Sequence, residues 1–220
     1  NVKKVFLYVL LGTGAFIMIF PFIWMLLSSL KTAAEVNTTP PTFLPANPTL
    51  DNYAYAFEKA PFLTYFKNSV IVTLACVACT QFTTILAAFA FSRLKFPGRD
   101  VLFSLLLSLM MVPFEMLIIT NYQTIVAWEL TDTLLALIVP FTSSIFYTYV
   151  LRNFFLSIPD SLYYSARVDG ASRWQSLFKI QIPMLTPTIF FVVVTTLINC
   201  FQMFDETYFL TKGGPGVSSQ

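Results

Sequence analysis

Five long stretches of the chain are almost free of charge. Val5–Leu30, Asn68–Ser92, Thr133–Leu151 and Ile180–Phe204 contain no Asp, Glu, Lys or Arg, and Val101–Val126 is interrupted only by Glu115. An α-helix needs about 20 predominantly apolar residues to cross a bilayer. The pattern therefore predicts an all-α, polytopic helical membrane protein with spans at about 5–30, 68–92, 101–126, 133–151 and 184–204. Gly12, Gly14 and Pro21 lie in the first run, Thr83 and Thr84 in the second, and Pro113 in the third. Lipid alone does not favour such residues, whereas close helix–helix contact does. The spans are expected to pack as one transmembrane domain over residues 1–220.

Basic residues set the expected orientation, because Lys and Arg concentrate on the cytoplasmic side. Lys3 and Lys4 precede the first span, Arg93, Lys95 and Arg99 follow the second, and Arg152, Arg167, Arg173 and Lys179 follow the fourth. With the N-terminus in the cytoplasm these nine of the 13 basic residues face inward, leaving Lys31, Lys59, Lys67 and Lys212 outside. The first apolar run is too long for a cleavable signal peptide. An outer segment, 31–67, carries Pro40, Pro41, Pro45 and Pro48 before a stretch with helical character from Leu50 to Phe57. The end of the chain, Lys212-Gly213-Gly214-Pro215-Gly216, is turn-rich and faces outward, and a sixth span is expected beyond it.

Composition narrows the function classes. Hydrophobic residues make up 56% of the chain, charged residues 11%, and the mean hydropathy is +0.71. Soluble domains carry roughly 25% charge, so a soluble enzyme and a disordered chain are both excluded. There is no His, which removes His-centred metal sites and imidazole proton relays, and no metal site is expected. Cys76 and Cys79 have redox or zinc spacing but sit inside an apolar run without a second pair, so they read as packing residues. A net charge of +2 is too small to imply nucleic acid.

The longest inner loop, 152–183, is the most informative segment. Ser157-Ile158-Pro159-Asp160 reads as a helix start with Ser157 as N-cap. Leu162, Ala166, Gly170 and Trp174 recur at i, i+4 as a narrow stripe, and Gln181 lies off it and is expected to tolerate change. Asp169-Gly170 is a break, Ser172-Arg173-Trp174-Gln175 is a capping box for a second helix, and Pro183 closes it. A helix–glycine–helix loop at the membrane face suits either a pair of helices lying on lipid headgroups or a docking element for a cytoplasmic partner. Glycine at the break permits close backbone approach.

Tyr164-Ser165-Ala166-Arg167-Val168-Asp169-Gly170-Ala171, followed by Ile180-Gln181-Ile182-Pro183, resembles the Glu-Ala-Ala…Gly…Ile-x-Leu-Pro loop of binding-protein-dependent ABC importer permeases. Ile158-Pro159-Asp160-Ser161-Leu162, Phe43-Leu44-Pro45, Asn52-Tyr53 and Asn68-Ser69 are similar to other stretches of that family. Phe209 through Gly213-Gly214-Pro215 is similar to an outer loop of its carbohydrate-uptake branch, typified by maltose and glycerol-3-phosphate permeases. Tyr164 stands where the motif has Glu, and Ser165 where it has Ala. The resemblance implies a six-span subunit forming half of a pathway for a sugar or similar solute. It also implies a second permease subunit, cytoplasmic ATP-binding subunits docked on the loop, an extracytoplasmic solute-binding protein, and residence in the inner membrane among lipid. Asp160, Leu162, Tyr164, Ser165, Ala166, Arg167, Asp169, Gly170, Ala171, Trp174 and Pro183 are the docking residues it points to. Independently, the chain lacks a Gly-x-x-x-x-Gly-Lys-Ser/Thr phosphate loop, so ATP and Mg would be held by the partner and no cofactor or catalytic residue is expected here.

A sugar pathway calls for aromatic faces beside amides and hydroxyls. Asn199 and Gln202 with Phe201 and Phe204 offer that mixture; Tyr122, Gln123, Thr142, Ser143 and Ser144 are weaker candidates, and each also suits an interhelical hydrogen bond. Glu115 is the one ionisable group inside a predicted span, which leaves open an ion-coupled transporter, as the docking loop leaves open a membrane scaffold.

Overall fold

The computed structural model describes residues 2–203 and 207, and what it describes is all-helical. The chain divides into two compact units, Asn1–Phe62 and Leu63–Gln220. In the first, α1 (Val2–Ser29) runs through Pro21 without interruption and buries none of its residues. A helix apolar on all sides suits lipid or a neighbouring span rather than water. The chain after α1 folds back on the end of that helix through the short α2 (Ala33–Val36) and α3 (Asp51–Lys59). Asn52 donates its side-chain amide to the carbonyls of Ser29 (2.9 Å) and Lys31 (2.7 Å), and Lys31 lies over the Trp24 ring at 5.1 Å. Glu35 accepts from the Ala46 amide at 2.7 Å, which holds the proline-rich stretch in a closed loop. The expected helix from Leu50 to Phe57 is α3, and the proline-rich stretch before it carries no helix after α2.

In the second unit the long helix α4 (Phe62–Arg93) is the central element. The predicted span 101–126 is not one continuous helix. α5 (Arg99–Leu109) stops short of Pro113, whose missing N–H and extended ψ of 137° divert the chain into a 3₁₀ turn, Phe114–Leu117, before α6 (Ile118–Ala127). The span predicted at 133–151 is also broken. α7 (Leu134–Ile138) passes into a 3₁₀ turn containing Pro140, and α8 (Ile145–Ser157) resumes at an angle of 43°, reaching six residues past the expected end.

Such a break frees carbonyls that lipid cannot satisfy, and α4 supplies the donors. Thr80 Oγ1 donates to the Phe141 carbonyl and Thr83 Oγ1 to that of Thr142, both at 2.6 Å, and Cys76 Sγ approaches the Leu137 carbonyl at 3.8 Å. Positions 76, 80 and 83 share one helix face, so the threonines and cysteine inside the apolar run serve this seam. Cys76 is fully buried with Val72 and Leu137, in keeping with the packing role read from the sequence.

α9 (Asp160–Val168) and α10 (Arg173–Ser176) follow; a π-helical turn, Leu177–Gln181, then leads into α11 (Ile182–Met184). α12 (Thr186–Phe201) leaves this segment at 77° around Leu185. Pro183 therefore does not close the second loop helix, as the spacing suggested. It sits in the first turn of α11, where its missing N–H is harmless, and the bend comes two residues later. α1 and α4 are each long and apolar enough to cross a membrane, and the two bent pairs raise the number of candidate spans to four. The main core of this unit gathers Ala88 and Phe89 of α4, Tyr147, Leu151 and Phe155 of α8, Tyr163 of α9, Leu177, Leu185 and Val192.

Candidate functional site

The loop between α8 and α12 is built on one buried guanidinium. Arg93, the last residue of α4, is only 4% exposed at its side chain. It donates to the carbonyls of Phe155 and Ile158 (the latter at 2.8 Å), and its other arm pairs with the Asp160 carboxylate. The ring of Tyr163 lies 5.7 Å beneath it. Arg93 thus sits where a cation is favourable, at the carbonyl end of α8, and pairs with Asp160, the carboxylate that suits the first turn of α9.

Between the helices, Pro159 holds Ile158 in an extended conformation and itself occupies the N-cap position of α9, with no side-chain cap. Ser157 is not the N-cap expected from the sequence. It is the last residue of α8, and its hydroxyl donates to the Phe154 carbonyl at 2.8 Å.

The break at Gly170 is as expected. Gly170 has φ +83°, its N–H bonds the Arg167 carbonyl (3.1 Å), and the Ala171 N–H bonds the Ala166 carbonyl (2.9 Å). That pair of bonds is a Schellman turn, which needs a left-handed residue where glycine is cheapest. The capping box is present too, with Ser172 accepting from the Gln175 amide (3.2 Å) and the Gln175 side chain accepting from the Ser172 N–H (2.8 Å).

The stripe Leu162–Ala166–Gly170–Trp174 is not the buried face. α9 turns Tyr163 inward, into the cluster with Phe155 and Ile158, buries Ala166 as well, and leaves Leu162, Tyr164, Ser165, Arg167 and Asp169 exposed. Trp174 and Phe178 stack at 6.1 Å, both more than half exposed, and Asp160 and Pro183 are exposed as well. Most of the docking residues therefore stand on an accessible surface; Ala166 is a packing residue and Ala171 is partly buried. Gln181 departs from expectation most. It is 1% exposed and donates to Ser176 Oγ at 3.1 Å inside the π turn, so it is a core residue.

A second cationic joint adjoins the first. Arg152 of α8 donates to the Phe91 carbonyl (3.2 Å), covers the Phe103 ring at 4.2 Å and reaches Asp100 at 3.8 Å. The Arg99 hydrogen bond, at 3.0 Å, holds the Asp100 carboxyl below the ordinary carboxylate range, and the charges of Arg99 and Arg152 act in the same direction. Arg93 and Arg152 entered the sequence reading only as topology markers. Their partners lie about sixty residues away in the chain, and no local spacing signals them.

The pathway candidates are not brought to one place. Tyr122 packs against Val72, Cys76 and Leu137. Asn199 donates to the Tyr147 hydroxyl at 3.2 Å, the interhelical bond that was its plainer reading. Gln202 is the exposed C-cap of α12, and Glu115 is exposed in the 3₁₀ turn with no ion pair among the described residues. A cavity of about 80 Å³ lined by Asn68, Thr73, Leu137, Phe201 and Met203 includes none of the four. Phe204 and the stretch Phe209–Pro215 lie outside the described residues.

Long apolar helices, with broken segments re-satisfied by threonines, are those of a multi-pass helical membrane protein. The chain belongs to the family of binding-protein-dependent transport system inner membrane components, which it matches over residues 82–220. It is 36% identical over 188 residues to the sulfoquinovosyl glycerol transport system permease protein SmoH of Agrobacterium fabrum, covering 84% of this chain and 66% of that protein. It is 30% identical to the arabinooligosaccharides transport system permease protein AraQ of Halalkalibacterium halodurans, over 86% of this chain and 69% of AraQ. The crystal structure of a bacterial ABC transporter involved in the import of the acidic polysaccharide alginate matches the fold with a TM-score of 0.86. The identity there is 24%, over 96% of this chain and 74% of that one.

Proposed function

We propose that this chain forms half of the translocation pathway of an ATP-driven importer for a sugar or similar solute, and that segment 160–183 couples it to a cytoplasmic ATPase. The observation that carries the reading is the Arg93 joint. It ties an exposed helix–glycine–helix surface to the end of α4, so a force applied to the loop is delivered to the central helix. The proposed topology has five spans, two of them bent, with the N-terminus and the loop in the cytoplasm, as the distribution of basic residues favours.

In this reading a second permease subunit completes the pathway, two ATP-binding subunits hold ATP and Mg, and a solute-binding protein delivers substrate from outside. ATP draws the ATPases together with the docked loops and opens the bundle outward; hydrolysis reverses it. The coupling can be no larger than the difference in contact energy the loop makes in the two states. Asp160, Leu162, Tyr164, Arg167, Gly170 and Trp174 supply the docking surface. Glu115, Tyr122, Asn199 and Gln202 remain pathway candidates.

Uptake by the complex in proteoliposomes tests the reading. It should require ATP inside the cytoplasmic compartment and survive an uncoupler. Uptake that follows an ion gradient without ATP would replace it with an ion-coupled transporter, and a complex that carries no solute would replace it with a scaffold.

A further inference from the structure

A cleft of about 430 Å³ opens between the end of α4, the turn after it, α9 and α10. Four cations line it, Arg93, Lys95, Arg167 and Arg173, beside the rings of Tyr163 and Tyr164. Asp160 pairs with Arg93, whereas Lys95, Arg167 and Arg173 form no ion pair among the described residues. Like charges gathered around one recess repel, and a chain with a net charge of only +2 has no general excess of cations to explain them. Arg93, 4% exposed at its side chain, leaves its Nε–H without an acceptor. The wall of the cleft therefore gathers three cations with no counter-ion among the described residues, an arrangement that calls for an anion.

We infer that this cleft binds the phosphate of an anionic phospholipid headgroup. Two features favour a headgroup over a protein carboxylate. The cleft begins at the last residue of a membrane-length helix, at the level where headgroups lie. Phe96 and Tyr163 line it, aromatic side chains of the kind that sit at headgroup level. Basic pockets between spans on the cytoplasmic side are suited to such headgroups. A lipid held here would touch Tyr164 and Arg167 and so brace the docking surface from the membrane side.

The test uses the full-length permease in its complex, purified in detergent and exchanged into nanodiscs of equal parts phosphatidylglycerol and phosphatidylcholine. Native mass spectrometry then reads the retained lipid. The wild type should retain phosphatidylglycerol in preference, and Lys95→Gln/Arg173→Gln should lower that preference on the order of tenfold. Lys179→Gln, which changes an exposed cation outside the cleft, should leave it unchanged. Equal preference in the wild type and the double variant would overturn the inference. Full displacement of the lipid by millimolar inorganic phosphate would assign the cleft to the free anion instead. A double variant that keeps the lipid ratio but no longer copurifies the ATP-binding subunit would make the cleft a protein contact.

Discussion

Arg93 and Asp160 form an ion pair that joins the last residue of α4 to the first residue of α9, 67 positions apart in sequence. The two partners contribute unequally. Asp160 is 72% exposed, so its share is screened by water, whereas Arg93 is buried and also satisfies two carbonyls at the end of α8. Arg93→Ala should lower stability by roughly 2–4 kcal/mol and release the loop, and Arg93→Lys, with one donor point instead of a planar fork, should fall between. Asp160→Asn should stay within about 1 kcal/mol of wild type. Thermal unfolding of the purified subunit ranks the three. A greater loss in Asp160→Asn than in Arg93→Ala would reverse this assignment.

Gln181 gives a sharper contrast between sequence and structure. Its side chain is enclosed, with one hydrogen bond to Ser176, so Gln181→Ala removes a bond and opens a cavity. The expected loss is about 2–3 kcal/mol, seen as a lower unfolding temperature at unchanged membrane insertion. A neutral result would place Gln181 outside the core and restore the tolerance that its position off the stripe suggested.

These two cases mark what was legible in advance. The Schellman turn at Gly170 and the capping box at Ser172 depend on residues within five positions of each other, so sequence alone carries them. The apolar runs likewise announce membrane helices. Which face of α9 turns inward depends on where Phe155 and Ile158 lie; Tyr163, off the stripe, packs there, and spacing within the loop does not reveal it. The broken helices were half legible. Pro113 and Pro140 were visible, but a long apolar run outweighs a proline until the donors that heal the break, Thr80 and Thr83, are seen opposite it. The joint at Arg93 was hidden by chain separation.

Orientation can be checked by chemistry at two exposed positions. Lys95 follows α4 on the basic side, and Asn47 lies in the loop that folds back on the end of α1. A cysteine at Lys95 should react with a membrane-impermeant maleimide only when the cytoplasmic face is open, and one at Asn47 only from outside. The native Cys76, Cys79 and Cys200 need replacing by Ala or Ser first, although Cys76 is buried. The opposite labelling pattern would put segment 160–183 outside the cell and end its role as an ATPase contact.

Gly170 separates backbone strain from partner contact. Its φ of +83° is costly for any residue with a Cβ, by about 1–2 kcal/mol, and less so for Asn, which enters the left-handed region more readily. Within this chain a Cβ at Gly170 would meet nothing within 4 Å, so strain is the sole intramolecular penalty. Gly170→Ala and Gly170→Arg share that penalty and should unfold at similar temperatures, while Gly170→Asn should lie nearer the wild type. A long charged side chain should be excluded where the proposed ATPase groove closes over the turn, whereas a methyl fits. Gly170→Arg should therefore insert normally, lose copurification of the ATP-binding subunit and abolish ATP-dependent uptake, with Gly170→Ala retaining most of both. Equal uptake by the Ala and Arg variants would mean that no partner approaches this turn, and segment 160–183 would lose its claim to be the coupling element.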